Sequence, residues 1–192
     1  MKMALRTALI YGHSQAQPTG MGDDLLAALA GKNVVVKRVG LQGRGDADLL
    51  AEAPGALGDV SDYDRVFLFA GGNSMVQTAA DLRKLVEYFG PKRTVVILSP
   101  VNLDRDASTV ASLQSRNEGN RKGIEDLVPV YSVQAHKDSF KADGIHMRAG
   151  SPESVALAKQ VIEDLSSSKS MSLLVVGGLV LAAALLALSR RK

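Results

Sequence analysis

A serine, an aspartate and a histidine are the residues of this chain that together could break an ester. Ser14 stands in Gly12-His13-Ser14-Gln15, and Asp143 precedes His146 by three positions in Asp143-Gly144-Ile145-His146. A serine hydroxyl is a weak nucleophile until a base takes its proton. His146 can be that base, and Asp143 can orient the ring and stabilise the imidazolium. Acyl transfer also builds charge on an oxygen, which needs donors already in place. The backbone N–H groups of Ser14 and Gly43 and the side-chain amide of Asn73 are candidates for that oxyanion hole. His13, Gln15 and Gly72 adjoin these residues and are candidate substrate contacts. Gln17 and Arg116 join them by position alone. Plainer readings exist for each. Ser14 suits a turn, Asp143-Gly144 is an ordinary turn signal, and Asn73 beside two glycines suits a left-handed turn.

The elements around these residues favour the chemical reading. Thr7–Tyr11, Val34–Val39, Arg65–Ala70, Thr94–Leu98 and Pro129–Val133 read as short apolar strands. Between them, Asp23–Ala30, Asp46–Ala53, Val76–Tyr88 and Ser112–Leu127 read as helices. The second of these ends before Pro54, and Gly119 and Gly123 weaken the last. Ser151-Pro152-Glu153 opens a final helix, with Ser151 as its N-cap. Strands alternating with helices predict a parallel sheet covered on both faces. Ligands of such sheets sit at the carboxyl ends of the strands. Gly12-His13-Ser14, Gly40 to Gly43 and Gly71-Gly72-Asn73-Ser74 each follow a predicted strand there, and Asp143–His146 precedes the last helix.

Four such blocks in this order resemble the SGNH (GDSL-like) hydrolases, over about residues 4 to 165. Gly12-His13-Ser14 is similar to the first block, Gly-Asp-Ser, or Gly-Gln-Ser in sialate O-acetylesterase-like members. Gly43, or failing it Gly40, stands for the second-block glycine. Gly71-Gly72-Asn73-Ser74 resembles Gly-x-Asn-Asp, and Asp143 with His146 matches Asp-x-x-His. His13 and Ser74 depart from the pattern. The resemblance implies a flavodoxin-like three-layer α/β/α fold around a parallel five-stranded sheet. It implies a Ser14–His146–Asp143 triad, an oxyanion hole of Ser14, Gly43 and Asn73, and no metal or organic cofactor. The substrate it implies is a carboxylic ester, with a short acyl group on a carbohydrate. A lipase or thioesterase of the same class is an alternative, as is an inactive protein of a membrane or virion membrane that keeps the fold. The α/β-hydrolase elbow Gly-x-Ser-x-Gly fits less well, because here the serine follows the first strand and the acid and base share one loop.

Composition narrows the rest. The chain has 192 residues, no cysteine, few aromatic residues and a net charge of +3. Thiol chemistry is excluded, and neither the charge nor the aromatics suggest a nucleic-acid partner. The three histidines are scattered and no His-Glu-x-x-His occurs, so no metal site is expected. Arg44-Gly45-Asp46 is read as a chance tripeptide. Asn102 to Arg121, polar and charged, is read as a rim over the site or a solvated helix.

The chain divides near residue 166. Residues 1–165 form the expected hydrolase-like domain and 166–170 a polar linker. Residues 171–189, charge-free, are expected to form a single membrane-spanning helix, and 190–192 a basic tail. The apolar run before Gly12 is too short for a secretory signal and reads as a strand. A basic tail favours the cytoplasm, so the side of the membrane stays open, as does the oligomeric state.

Overall fold

The computed structural model describes residues 5–72 and 79–166. β1 (Thr7–Gly12), β2 (Val35–Gly40), β3 (Arg65–Ala70), β4 (Thr94–Leu98) and β6 (Val130–Tyr131) form one sheet in the order β2-β1-β3-β4-β6, every pair parallel. Five helices accompany it: α1 (Met21–Ala30), α2 (Asp46–Leu57), α3 (Ala79–Phe89), α4 (Ala107–Ile124) and α5 (Pro152–Ser166). A short parallel pair, β5 (Val101–Asn102) with β7 (Gln134–Ala135), was not expected.

Alternation along the strands sorts the core into two layers. Ala8, Ile10, Phe67, Phe69, Val95 and Ile97 pack with Met21, Leu25 and Leu29 of α1 and Leu157, Val161 and Ile162 of α5. Leu9, Tyr11, Leu68, Val96 and Leu98 face the other way, onto α2 and α3 residues such as Leu49, Leu82 and Phe89 and onto Ile124 of α4. Side chains of a strand point alternately to opposite faces, so strands covered on both sides must be apolar throughout. β4, TVVIL, is buried at all five positions. Each large side chain so buried contributes about 1.5–3 kcal/mol. The buried Tyr11 hydroxyl donates to the Leu49 carbonyl at 2.7 Å, tying β1 to α2.

Two helix boundaries differ from expectation, and a third stands as expected without its side-chain cap. α2 runs through Pro54 to Leu57. Proline removes one helical hydrogen bond, but the helix gains burial of Ala53 and Leu57 by continuing. α4 starts earlier, because Asp106 caps it by accepting the Thr109 N–H at 2.8 Å. It tolerates Gly123 because that residue lies tight against Ala79 at the start of α3. Ser151 precedes α5, and its carbonyl accepts the Val155 N–H at 3.0 Å. Its hydroxyl makes no hydrogen bond among the described residues. Asp24 of α1 ties down the segment around it, accepting from Gly150 N–H at 2.9 Å and from the Ser154 hydroxyl at 2.5 Å. α5 therefore begins beside the start of α1, at the carboxyl edge of the sheet, and runs back along its face.

Among the described residues no helix is long and apolar enough to cross a membrane. The segment 171–189, expected to span one, lies outside the described residues, as do the linker 167–170 and the tail 190–192.

Candidate active site

Three strand ends and one loop converge on a cleft of about 300 Å³. β1 delivers Gly12, His13 and Ser14. Gly12 has φ +149°, and a Cβ there would stand 2.1 Å from the Phe69 carbonyl oxygen, so the turn out of β1 needs glycine. β3 delivers Gly71 and Gly72. A Cβ on Gly72 would meet Ser99 Oγ at 2.5 Å and His13 Nε2 at 2.8 Å. β4 delivers Ser99 and Pro100, and the loop before α5 delivers Gly144, Ile145 and His146.

The residues expected to act together touch one another. Ser14 Oγ lies 2.7 Å from His146 Nε2, and His146 Nδ1 lies 2.6 Å from Asp143 Oδ2. A carboxylate only accepts, so Nδ1 carries the ring proton and Nε2 is left to accept the Ser14 hydroxyl hydrogen. Asp143 Oδ1 also accepts the backbone N–H groups of Ile145 at 2.8 Å and His146 at 2.9 Å. Burial by itself would raise the Asp143 pKa, but these donors and the His146 ring outweigh it and hold the carboxyl down at about 2. The loop is tied to its surroundings. Asn102 Nδ2 donates to the Gly144 carbonyl at 3.1 Å, Gln15 Nε2 to the Ile145 carbonyl at 3.3 Å, and Lys141 N–H to the His146 carbonyl at 2.7 Å.

His13, the residue before Ser14, has only 2 % of its surface exposed. Its Nδ1 accepts the Gln15 N–H at 3.3 Å, so Nε2 carries the proton and donates to Ser99 Oγ at 3.1 Å. Burial pushes its pKa down to about 4, and the nearby His146 and Arg116 charges push the same way, against a hydrogen bond to the Ala70 carbonyl. The ring is therefore neutral near pH 7.

Of the proposed oxyanion donors, the Ser14 N–H opens the short turn Ser14–Ala16 and donates to no described group. Asn73, like Ser74, lies outside the described residues. Gly43 is not brought to the cleft. It sits exposed in the loop after β2 with φ +73° and is not among the cleft's lining residues. The second choice, Gly40, is also absent from the cleft's lining residues, and a Cβ there would stand 2.5 Å from Gln17 Cγ. Gln15 and Arg116 line the cleft, whereas Gln17 does not. The stretch from Asn102 to Arg121 contributes Asn102, Arg105, Leu113 and Arg116 to the wall, so it is a rim.

Sequence reasoning missed Ser99, Asn102 and Asp46. Asp46, fully buried at the start of α2, accepts the Gly71 N–H at 3.0 Å and so links the second loop to the third. An aspartate at the first position of a helix, directly after a glycine and a strand, was the available signal. No cluster of three metal-ligating side chains occurs among the described residues.

The architecture is a three-layer α/β/α sandwich with its cleft at the carboxyl edge of a parallel sheet, and solved structures share it. A lipase/acylhydrolase from Enterococcus faecalis matches with a TM-score of 0.62 at 16% identity, over 84% of this chain and 95% of that one. An acetylxylan esterase from Geobacillus stearothermophilus matches with a TM-score of 0.67 at 13% identity, over 86% of this chain and 96% of that one. Catalytic mutants of that esterase replace a serine, an aspartate, or a histidine three positions after the aspartate by alanine. No protein-family profile and no curated protein matches the sequence. The fold is that of the SGNH-type esterases and acylhydrolases.

Proposed function

We propose that this protein is a serine esterase that hydrolyses carboxylic esters through an acyl-enzyme. The observation that carries the reading is the unbroken hydrogen-bonded line from Ser14 through His146 to Asp143, opening on a cleft. Ser14 Oγ bonds to the acyl carbon while His146 Nε2 takes its proton. The tetrahedral oxyanion collapses, the acyl–alkoxy bond breaks, and His146 returns the proton to the leaving alcohol. Water then attacks the acyl-enzyme with His146 again as base, releasing the acid and restoring Ser14. Asp143 holds the ring tautomer throughout. The Ser14 N–H and the Asn73 amide are the proposed oxyanion donors.

We take the acyl group to be short, acetyl by preference, and the alcohol to be a carbohydrate, such as a cell-envelope glycan. Supporting this, the fold is shared with an acetylxylan esterase. Leu113 and Ile145 are the only large aliphatic side chains among the described residues lining the cleft, beside Pro100 and two glycines, and the other eight lining residues carry polar side chains. A long acyl chain would need more apolar wall than that. Residues 171–189 are the proposed membrane anchor, supported by their freedom from charge.

The test is hydrolysis of 4-nitrophenyl acetate by the full chain in detergent, beside Ser14→Ala. Loss of the hydroxyl should lower kcat by about 10⁴- to 10⁶-fold. Equal rates in the two folded proteins would refute the assignment of Ser14.

A further inference from the structure

The cleft wall carries a cation that the triad chemistry does not use. Arg116 lies on α4 three residues after Leu113, and both side chains line the cleft. Its Nε is buried without a hydrogen-bond partner, and the side chain forms no ion pair among the described residues. Burial pushes its pKa below the ordinary arginine value, with the Asp46 charge pulling the other way. Asp46 does not close on it as an ion pair, and one of that carboxylate's oxygens already holds the Gly71 N–H. Arg116 lines the same cleft as His13, Ser14 and His146, so the guanidinium faces the space in which an ester would react. Arg105 lines the same cleft, and no aspartate or glutamate is among its described lining residues. A partly desolvated guanidinium without a partner is costly. Its fork of donors fits a carboxylate or phosphate with two parallel hydrogen bonds.

We propose that the ester substrate carries an anionic group, a carboxylate or phosphate, within reach of Arg116, and that Arg116 selects anionic over neutral esters. The proposal rests on the esterase reading of Ser14. The anion belongs either to the acyl group or to the alcohol, and two substrate pairs separate these sources. In one, 4-nitrophenyl hydrogen succinate is set against 4-nitrophenyl butyrate. In the other, 4-acetoxybenzoate is set against 4-acetoxybenzamide. In one pair at least, kcat/KM for the anionic ester should exceed that for its neutral partner by about tenfold or more. The ratio should fall to near one in Arg116→Gln, and Arg116→Lys should restore part of it. Ratios near one in both pairs, or a preference that survives in Arg116→Gln, would overturn the proposal and leave the esterase standing.

Should no ester be hydrolysed, the esterase reading falls and binding decides the anion site. Calorimetry of the full chain with 4-acetamidobenzoate and with N-phenylsuccinamate, which it could not cleave as esters, supplies that readout. Binding of either that weakens about tenfold or more in Arg116→Gln and partly returns in Arg116→Lys sustains the anion site. Absence of binding, or binding indifferent to Arg116, removes it.

Discussion

Two loops flank the nucleophile, and they are built differently. The loop from Lys141 to Arg148 is stitched by its own backbone, by Asp143 and by side chains from Asn102 and Gln15. The loop from Leu41 to Gly45 is held at its two ends. Leu41 N–H donates to the Gly12 carbonyl at 2.8 Å, and Gly45 N–H donates to Asp48 at 3.0 Å. Gly43 between them is exposed. A loop that folds around its own aspartate and is also tied to its neighbours holds the His146 ring in one place. A loop fixed only at its ends can present any of several amides, and its glycines do not announce which.

The largest expected effect breaks the well-tied side. Asp143→Asn keeps the size of the side chain but lets the His146 ring adopt the wrong tautomer. Turnover should fall about 10⁴-fold, measured as kcat on 4-nitrophenyl acetate across pH. A loss below about tenfold would mean that the stitched loop alone orients the ring.

A smaller effect tests the buried ring between the two loops. The His13 pKa is lowered from 6.5 to about 4 in the folded protein. As pH falls through 6.5 the unfolded chain takes up a proton that the folded one refuses until about pH 4. Stability is thus intact above 6.5 and declines between 6.5 and 4, by about 3 kcal/mol in all for this group. Urea denaturation over that window should show the decline in the parent and a shallower one in His13→Gln. Parallel curves would place the proton elsewhere.

The smallest effect probes the loosely held loop. Gly43→Ala puts a side chain at φ +73° in open space, costing about 1–2 kcal/mol of stability. Turnover should stay within about twofold, because Gly43 is outside the cleft. A drop of 10²-fold or so would return its N–H to the oxyanion hole.

The same contrast explains what the sequence could tell. Strands such as RVFLFA and TVVIL were legible because double burial leaves no polar position in them after the first residue. Asp143 and His146 were legible because their whole geometry is local, four consecutive residues closing on one carboxylate. Ser14 followed from its place after the first strand. Gly43 was chosen by spacing from a strand end, and spacing does not say which amide of a loop turns inward. Ser99 and Asn102 act across elements far apart in the chain, so no local pattern marks them, and Asp46 shows locally only its place at the head of a helix. The helix through Pro54 was missed for a related reason. Local propensity stops it, while packing of Leu57 against distant residues continues it.

The Asp24 tie at the head of α5 sets the direction of that helix. From that point the helix travels 15 residues, about 22 Å at 1.5 Å per residue, away from the edge where the cleft opens. Its last residue, Ser166, therefore lies toward the opposite edge of the sheet. An attachment made at that end would leave the mouth of the cleft facing away from whatever holds the molecule.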